Sequence, residues 1–136
     1  MPTGKRVLCC GTFDHLHPGH LAFLRQAAAL GDELFVVVAR DENVRRFKGR
    51  DPDQGEEERR RTLENLGLAT DVRLGQPGTD LLQVVAHIQP DIIALGYDQK
   101  EPSGLRQAFP NCRVVVLEAY YPDRYKSSLF RPQRDG

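Results

Sequence analysis

The stretch Gly11–His20, which reads GTFDHLHPGH, decides the fold because it joins two different periodicities. The apolar segment Val7–Cys10 before it is typical of a buried strand, and Leu21–Leu30 after it repeats apolar residues at helical spacing. His17 and His20 therefore stand at a strand-to-helix junction, on one helical face and near the positive end of the helix dipole. Spare backbone N–H groups, two imidazoles and a helix N-terminus together predict a phosphate-binding site.

The remainder of the chain alternates strands with helices. The predicted strands are Arg6–Cys10, Glu33–Ala39, Asp71–Leu74, Asp91–Leu95 and Arg113–Leu117. The predicted helices are Pro18–Leu30, Asp41–Phe47, Glu56–Leu66, Thr79–Ile88 and Ser103–Phe109. Continuous apolar runs in the strands indicate a parallel sheet that is covered on both faces. We predict an α/β fold, a doubly wound parallel sheet of about five strands that binds ligands at the carboxyl ends of its strands.

Length and composition restrict the function classes. The 136 residues fit one domain, and we expect residues 1–136 to form it. Lys plus Arg (19) equals Asp plus Glu (19), so no global field favours nucleic acid or a membrane surface. The N-terminus lacks the apolar segment of a signal peptide, and no apolar run is as long as a membrane span. We therefore expect a cytoplasmic protein that binds neither nucleic acid nor membrane.

The cysteines carry no metal or disulfide pattern. No Cys/His cluster has the spacing of a zinc finger, and three cysteines do not suggest a disulfide framework. Cys9 and Cys10 are neighbours on a strand, so we expect two small apolar side chains on opposite faces of the sheet.

The histidine pair leaves some alternatives open. A metal ion at His17 and His20 would need a third ligand, which Asp14 or His15 could supply, although the helix N-terminus favours an anion. Asp14 itself is either a turn-stabilising carboxylate or an indirect contact to Mg²⁺. Gly19 removes a side chain where we expect a ligand to approach the backbone closely.

Two consecutive motifs carry a family resemblance. Gly11-Thr12-Phe13-Asp14 followed by His17-Pro18-Gly19-His20 resembles the signature of the HxGH nucleotidyltransferases, in the cytidylyltransferase-like superfamily. The resemblance implies a Rossmann-like fold and the transfer of a nucleotidyl group from a nucleoside triphosphate. Within the superfamily the chain is most similar to the archaeal-type FAD synthases, which adenylylate FMN. The segments that carry this narrower match are Gly31–Leu34, Val38–Glu42, Lys48–Arg50, Glu56–Arg60 and Pro90–Gln99.

The glycerol-3-phosphate cytidylyltransferases are similar over much of the same length. They share the first motif, the Gly31-Asp32 turn and a helix that carries acids and an arginine. Their C-terminal Arg-Thr-x-Gly-x-Ser-Thr stretch is not reproduced here, because the tail holds Tyr125–Leu129 instead. This difference disfavours the alternative, in which the substrates would be CTP and a phosphorylated alcohol such as glycerol 3-phosphate.

The resemblance implies roles for individual residues. His17, His20 and Lys48 are expected to be catalytic, with the histidines donating hydrogen bonds to the triphosphate and to its pentavalent transition state. Thr12 and Phe13 are expected to contribute backbone N–H groups. The full set expected to bind the nucleotide is Thr12, Phe13, His17, Pro18, Gly19, His20, Arg59, Asp98, Tyr125, Ser127 and Ser128.

Several of these residues have an ordinary structural interpretation beside the functional one. Lys48 lies in the polar segment Lys48–Gly55, which we expect to be a mobile loop, and there it could simply be solvated. Arg59 is interpreted as a phosphate ligand or a solvated helix residue. Asp98 is interpreted as a contact to the base or ribose, or as a turn aspartate. Ser127 and Ser128 could equally cap the last helix.

The predicted reaction transfers AMP from ATP to FMN and releases pyrophosphate. We expect Mg²⁺ as the companion of the triphosphate, held mostly by phosphate and water. Similar enzymes are often dimers, so a homodimer is expected here. From another functional class, a nucleotide-binding module without turnover is the alternative, which the presence of both His17 and His20 disfavours.

Overall fold

A computed structural model describes residues 4–75, 81–96, 99 and 101–117, which build one five-stranded sheet flanked by helices. The strands are β1 Arg6–Gly11, β2 Glu33–Val38, β3 Asp71–Leu74, β4 Ile92–Leu95 and β5 Arg113–Val116. The helices are α1 Pro18–Ala29, α2 Asp41–Lys48, α3 Glu56–Leu66, α4 Leu81–Ile88 and α5 Leu105–Ala108. Every predicted helix and strand is confirmed, and among the described residues their ends agree with the prediction to within two residues. The predicted cap of α4 at Thr79 falls outside the described residues.

The sheet is parallel and doubly wound, as predicted. Its strand order is β3-β2-β1-β4-β5, with β1 in the centre. Cys9 of β1 pairs with Val36 of β2 on one side and with Ala94 of β4 on the other. The chain first builds outward from β1 to β3 and then returns to place β4 on the other side. The order of strands therefore reverses between β1 and β4, which is the position where doubly wound sheets bind ligands.

Both faces of the sheet are buried, because successive side chains of the strands point to opposite sides. One face packs against α1 and α3, through Leu24, Ala27 and Leu63. The other face packs against α4 and α5, through Val84, Val85, Ile88 and Leu105. None of the helices within the described part of the chain has the length and apolar character to cross a membrane.

Cys9 and Cys10 lie on opposite faces of β1, as expected. Cys9 belongs to the core beneath α1 and α3, and Cys10 packs against the core beneath α4 and α5. Burial raises the pKa of Cys9 well above its ordinary value, and it raises the pKa of Cys10 to about 12. Both thiols therefore stay protonated at neutral pH and act as small apolar side chains.

The turn between α1 and β2 brings the chain back beside β1. The backbone N–H groups of Asp32 and Glu33 donate to the carbonyl oxygen of Lys5 at 2.9 and 3.0 Å, and the carboxylate of Asp32 accepts from the N–H of Lys5 at 2.8 Å. A Cβ at Gly31 would lie 2.7 Å from the same carbonyl oxygen and 2.8 Å from Cγ2 of Val7. This turn therefore has no room for a side chain at position 31.

Gly31→Ala should lower the free energy of unfolding by roughly 1–3 kcal/mol, the usual cost of overpacking, because its Cβ would meet backbone that cannot move away. A matched control is Gly55→Ala. The nearest atom to a Cβ there is Oδ2 of Asp41 at 3.9 Å, and the backbone φ of −67° suits any residue. Urea unfolding should separate the two variants, and equal stability for both would contradict the steric explanation.

Candidate active site

The candidate site lies at the carboxyl ends of β1 and β4, where the strand order reverses. Beyond β1 the chain turns through residues 12–16 into α1, and beyond β4 it continues into Gly96. The side chain of Gln99 joins the two strand ends. Its amide donates to the carbonyl oxygen of Cys10 at 3.0 Å, and its Oε1 accepts from the N–H of Gly96 at 2.6 Å. Gln99 thus links the carboxyl ends of β1 and β4 by hydrogen bonds.

His17 caps the N-terminus of α1 with its own ring. Its Nδ1 accepts from the backbone N–H groups of Gly19 at 3.1 Å and His20 at 3.4 Å. In return, Nδ1 of His20 accepts from the backbone N–H of His17 at 3.4 Å, which completes a capping box. A neutral imidazole that accepts at Nδ1 carries its proton at Nε2. Both rings therefore offer an Nε2–H donor.

The two rings are stacked and neutral. Their centroids lie 3.8 Å apart and their planes meet at 18°. Burial lowers the pKa of His17. Burial also lowers the pKa of His20, to about 4, with further lowering by His17 and by the ammonium of Lys48, against a smaller opposing effect of Asp14. At pH 7 the site holds two uncharged hydrogen-bond donors.

Lys48, expected in a loop, is the last residue of α2. Its side chain is exposed, and its charge reaches the ring of His20. Of the three residues that were predicted to be catalytic, the structure places His17 and His20 in contact, and Lys48 interacts with His20 through its charge.

Pro18 and Gly19 fill the first turn of α1. Pro18 stands at a position where a helix has no use for a backbone N–H. A Cβ on Gly19 would lie 2.9 Å from Cε1 and 3.1 Å from Nδ1 of His17. The group that approaches the backbone of Gly19 closely is thus the His17 ring, where a ligand was expected. Glycine is needed here so that this ring can fold back over the helix end.

Thr12 and Phe13 form the turn beneath the histidines. Phe13 adopts a positive φ of 53°, which is uncommon for a residue with a side chain. Its ring is buried, with its centroid 5.5 Å from that of His20 in an edge-to-face arrangement and 6.4 Å from that of Phe23. The backbone N–H groups of Thr12 and Phe13 find no acceptor among residues 4–75, 81–96, 99 and 101–117.

Arg59 corrects one prediction. Its side chain has 0% exposure, and its N–H groups point into the protein. Nε donates to the carbonyl oxygen of Gln54 at 2.8 Å, Nη1 donates to that of Thr12 at 2.8 Å, and Nη2 donates to Oδ1 of Asp41 at 2.7 Å. The side chain of Arg59 has no exposed surface with which to contact a bound phosphate. Arg59 therefore holds the turn instead of contacting phosphate directly.

The loop before α3 is hydrogen-bonded to the turn beyond β1, which the sequence did not predict. The carboxylate of Asp14 accepts from the N–H groups of Asp53 at 2.8 Å and Gln54 at 3.0 Å. The N–H of His15 donates to Oε1 of Gln54 at 3.0 Å, and Nε2 of His15 lies 2.9 Å from Oδ2 of Asp53. Asp53 and Gln54 are therefore anchored to the turn beyond β1, which the prediction of a mobile loop did not include.

These contacts favour the turn-stabilising interpretation of Asp14. Burial would raise the pKa of its carboxyl group, but the N–H groups of Asp53 and Gln54, with the charges of His15 and Arg59, lower it. The carboxylate is therefore ionised at neutral pH and holds the loop against the turn.

Within the described part of the chain, Asp14, His15 and Asp53 are the group whose ligand atoms lie close enough to hold a metal ion, within 4.8 Å of one another. Their polar atoms already bond to each other and to backbone N–H groups. His17 and His20 do not belong to this group, and each ring already uses its Nδ1 in the capping box. The geometry therefore favours the anion-binding interpretation of the histidine pair.

Sequence reasoning missed the residues that hold the site together. Asp53 and Gln54 contact Asp14 across 39 and 40 positions, and no local pattern signals such a contact. Gln99 did carry a signal, because an amide follows a buried strand at the edge that binds ligands. The predicted site residues Asp98, Tyr125, Ser127 and Ser128 lie outside the described residues.

Comparison with known proteins identifies the family of this chain. The model of the family described as cytidylyltransferase-like matches residues 8–132. An FAD synthase of Thermococcus onnurineus is 50% identical over 129 residues, which cover 90% of this chain and 86% of that protein. An FAD synthase of Methanosarcina barkeri is 53% identical over 95 residues, which cover 70% of this chain and 66% of that protein.

Two solved structures share the fold. The crystal structure of a lipopolysaccharide core biosynthesis protein from Thermoplasma volcanium is 36% identical, with a TM-score of 0.80 over 87% of this chain and 99% of that chain. A pantoate-beta-alanine ligase from Francisella tularensis is 14% identical, with a TM-score of 0.57 over 84% of this chain and 59% of that chain, and it shows the fold alone. The chain belongs to the cytidylyltransferase-like family.

Proposed function

We propose that this protein is an FMN adenylyltransferase, which transfers AMP from ATP to FMN and releases FAD and pyrophosphate. The observation that carries the type of reaction is the pair of stacked, neutral imidazoles whose Nε2–H donors stand at the N-terminus of α1. The choice of ATP and FMN is supported by relatives named FAD synthase, which are 43 to 53% identical to this chain.

The reaction needs positioned charge and not a covalent nucleophile. A phosphate oxygen of FMN attacks the α-phosphorus of ATP in line, the bond from that phosphorus to the bridging oxygen breaks, and pyrophosphate leaves. A phosphate monoester, whose second pKa is about 6, is already ionised at neutral pH, so no residue has to act as a general base.

In this mechanism the site stabilises charge on the phosphates. His17 and His20 donate through Nε2–H, while Thr12 and Phe13 donate through the backbone at the positive end of α1. Lys48 adds a positive charge that the neutral rings do not supply. Each preorganised donor of this kind contributes roughly 3–4 kcal/mol to lowering the barrier.

The remaining parts of the proposal concern groups that accompany this chemistry. Asp98 would contact the base or ribose, and Tyr125, Ser127 and Ser128 would contact phosphate. Mg²⁺ would arrive with the triphosphate, bound mostly by phosphate and water. We further propose one catalytic domain that works in the cytoplasm, and a homodimer that sedimentation would test.

Purified protein should release pyrophosphate with ATP and FMN, and flavin fluorescence should fall because stacking on adenine quenches FAD. The matched control replaces this pair with CTP and glycerol 3-phosphate. Release with the CTP pair alone would contradict the proposal and favour a cytidylyltransferase. Release with neither pair, in protein that binds nucleotide, would favour a binding module without turnover.

His17→Asn and His20→Asn should each lower kcat roughly 100- to 1,000-fold, the usual cost of removing one preorganised donor. At His17 asparagine is a good N-cap, and at His20 its oxygen can accept from the N–H of His17, so both bonds of the capping box can persist while the Nε2–H donor is lost. The control is His87→Asn, on the exposed face of α4 beside the amino ends of the strands. Near-normal turnover of His20→Asn would contradict the donor mechanism.

The lowered pKa of His20 predicts a pH dependence of stability. An unperturbed histidine titrates near 6.5, whereas folded His20 titrates at about 4, so the folded state binds fewer protons between these values. The contribution of neutral His20 to stability is therefore complete above about pH 6.5. It is lost as the pH falls toward 4.

His20→Asn should flatten the fall in unfolding free energy over this range of pH. Urea unfolding at several pH values measures the two slopes. Equal slopes for wild type and variant would contradict the lowered pKa of His20.

A further inference from the structure

We propose that Arg59 is a positioning residue for catalysis, which fixes the Thr12–Phe13 peptide so that the N–H of Phe13 and the ring of His20 face the triphosphate. This inference rests on the proposed nucleotidyl transfer. It assigns Arg59 a role that differs from direct binding of phosphate, because the side chain has no exposed surface.

The first step concerns the orientation of one peptide group. Nη1 of Arg59 donates to the carbonyl oxygen of Thr12 at 2.8 Å. That carbonyl and the N–H of Phe13 belong to the same planar peptide, in which C=O and N–H point in opposite directions. Because Arg59 holds the carbonyl toward the protein interior, the N–H of Phe13 is turned outward. The guanidinium thereby fixes a donor that it does not touch.

The second step concerns backbone strain. Phe13 has φ 53° and His15 has φ 52°, and neither residue is glycine. Such conformations are strained and persist where the surrounding structure determines them. Thr12 and Gln54 both give their carbonyl oxygens to Arg59, so one cation anchors the turn and the loop that packs on it. Without it, the peptide is free to turn its carbonyl toward the phosphates.

The third step leads from this peptide to a catalytic ring. The backbone of Phe13 sets the direction of its side chain, and the Phe13 ring supports the ring of His20 edge to face at 5.5 Å. Gly11 leaves space for this arrangement, since a Cβ there would lie 2.8 Å from the Phe13 ring. A change at Arg59 therefore moves two donors of the site, one on the backbone and one on a side chain.

The chemistry of the anchor requires arginine. Its three acceptors lie on different segments of the chain, at Gln54, Thr12 and Asp41, and the planar fork of a guanidinium reaches all three at once. A lysine has a single ammonium on a flexible stem. It preserves the charge opposite Asp41 but cannot hold both carbonyl oxygens in the same geometry.

Arg59→Lys should lower kcat roughly 100-fold, the cost of displacing a preorganised donor, and leave KM for ATP within about threefold. The matched control is Arg60→Lys on the same helix. Arg60 makes ion pairs with Glu57 at 3.0 Å and Glu64 at 2.9 Å on the surface of α3, and its variant should keep wild-type turnover. Rates are normalised to the folded fraction from urea unfolding, because a merely structural loss changes that fraction and not kcat.

Two further variants cover the case in which Arg59→Lys does not fold. Asp41→Asn removes only the charge that faces Nη2, and it should lower kcat by less than Arg59→Lys does. Arg59→Ala leaves a cavity shaped for guanidinium, so added guanidinium at low millimolar concentration should restore part of kcat, whereas methylammonium should not.

The outcomes separate this inference from the function on which it rests. If wild type makes no FAD, the proposed function fails, and the amide resonance of Phe13 in Arg59→Lys still reports whether the peptide moves. If wild type makes FAD but folded Arg59→Lys keeps wild-type kcat, the positioning role is overturned. Equal losses in Arg59→Lys and Arg60→Lys, or no rescue by guanidinium, would overturn it as well.

Discussion

The structure of the site depends on one hydrogen-bonding constraint, the capping of α1 by Nδ1 of His17. Helix N-termini leave N–H groups without partners, and here an imidazole nitrogen accepts from two of them. The same bonds decide the chemistry of the ring. Because Nδ1 accepts, the proton of the neutral ring stands at Nε2, and the ring can only donate outward. The element that ends the loop and starts the helix therefore also produces the outward donor that the proposed mechanism uses.

Residues beneath the site hold the turn that precedes the capped helix. Arg59 and Asp14 both lie under the site, and each bonds to backbone groups of a segment distant in the sequence. A buried cation is costly unless it is paired and fully hydrogen-bonded, and Arg59 has Asp41 and two carbonyl oxygens as partners. These partners offset the cost of burying the charge, and they hold the turn so that its strained residue, Phe13, has one orientation.

The sequence predicted the elements of this fold well because each has a local cause. Continuous apolar runs gave the parallel strands, and Pro18 marked the start of α1 as Gly31 marked its end. His17 and His20 were found because their spacing and position need no tertiary information. Arg59 was assigned wrongly because a helix position alone does not tell whether a long cation reaches solvent or an interior carbonyl. The contacts of Asp53 and Gln54 could not be predicted from the sequence, because their partner Asp14 lies 39 or 40 positions earlier.

The charge state of the site has a consequence for turnover. Nucleotidyl transfer begins with two substrates that carry phosphate and ends with two products that carry phosphate, so a site rich in fixed positive charge would hold pyrophosphate tightly. His17 and His20 avoid this, because burial, and for His20 the nearby Lys48, keep them neutral. Neutral donors distinguish the transition state from the ground state by geometry, because their hydrogen bonds are strongest at the positions that phosphate oxygens reach in the pentavalent state. The proposed mechanism leaves the positive charge to Lys48, an exposed side chain at the end of α2. In the proposed mechanism the neutral donors of His17 and His20 recognise the geometry of the transition state. Without a dense cluster of fixed positive charge, the same site can still release pyrophosphate.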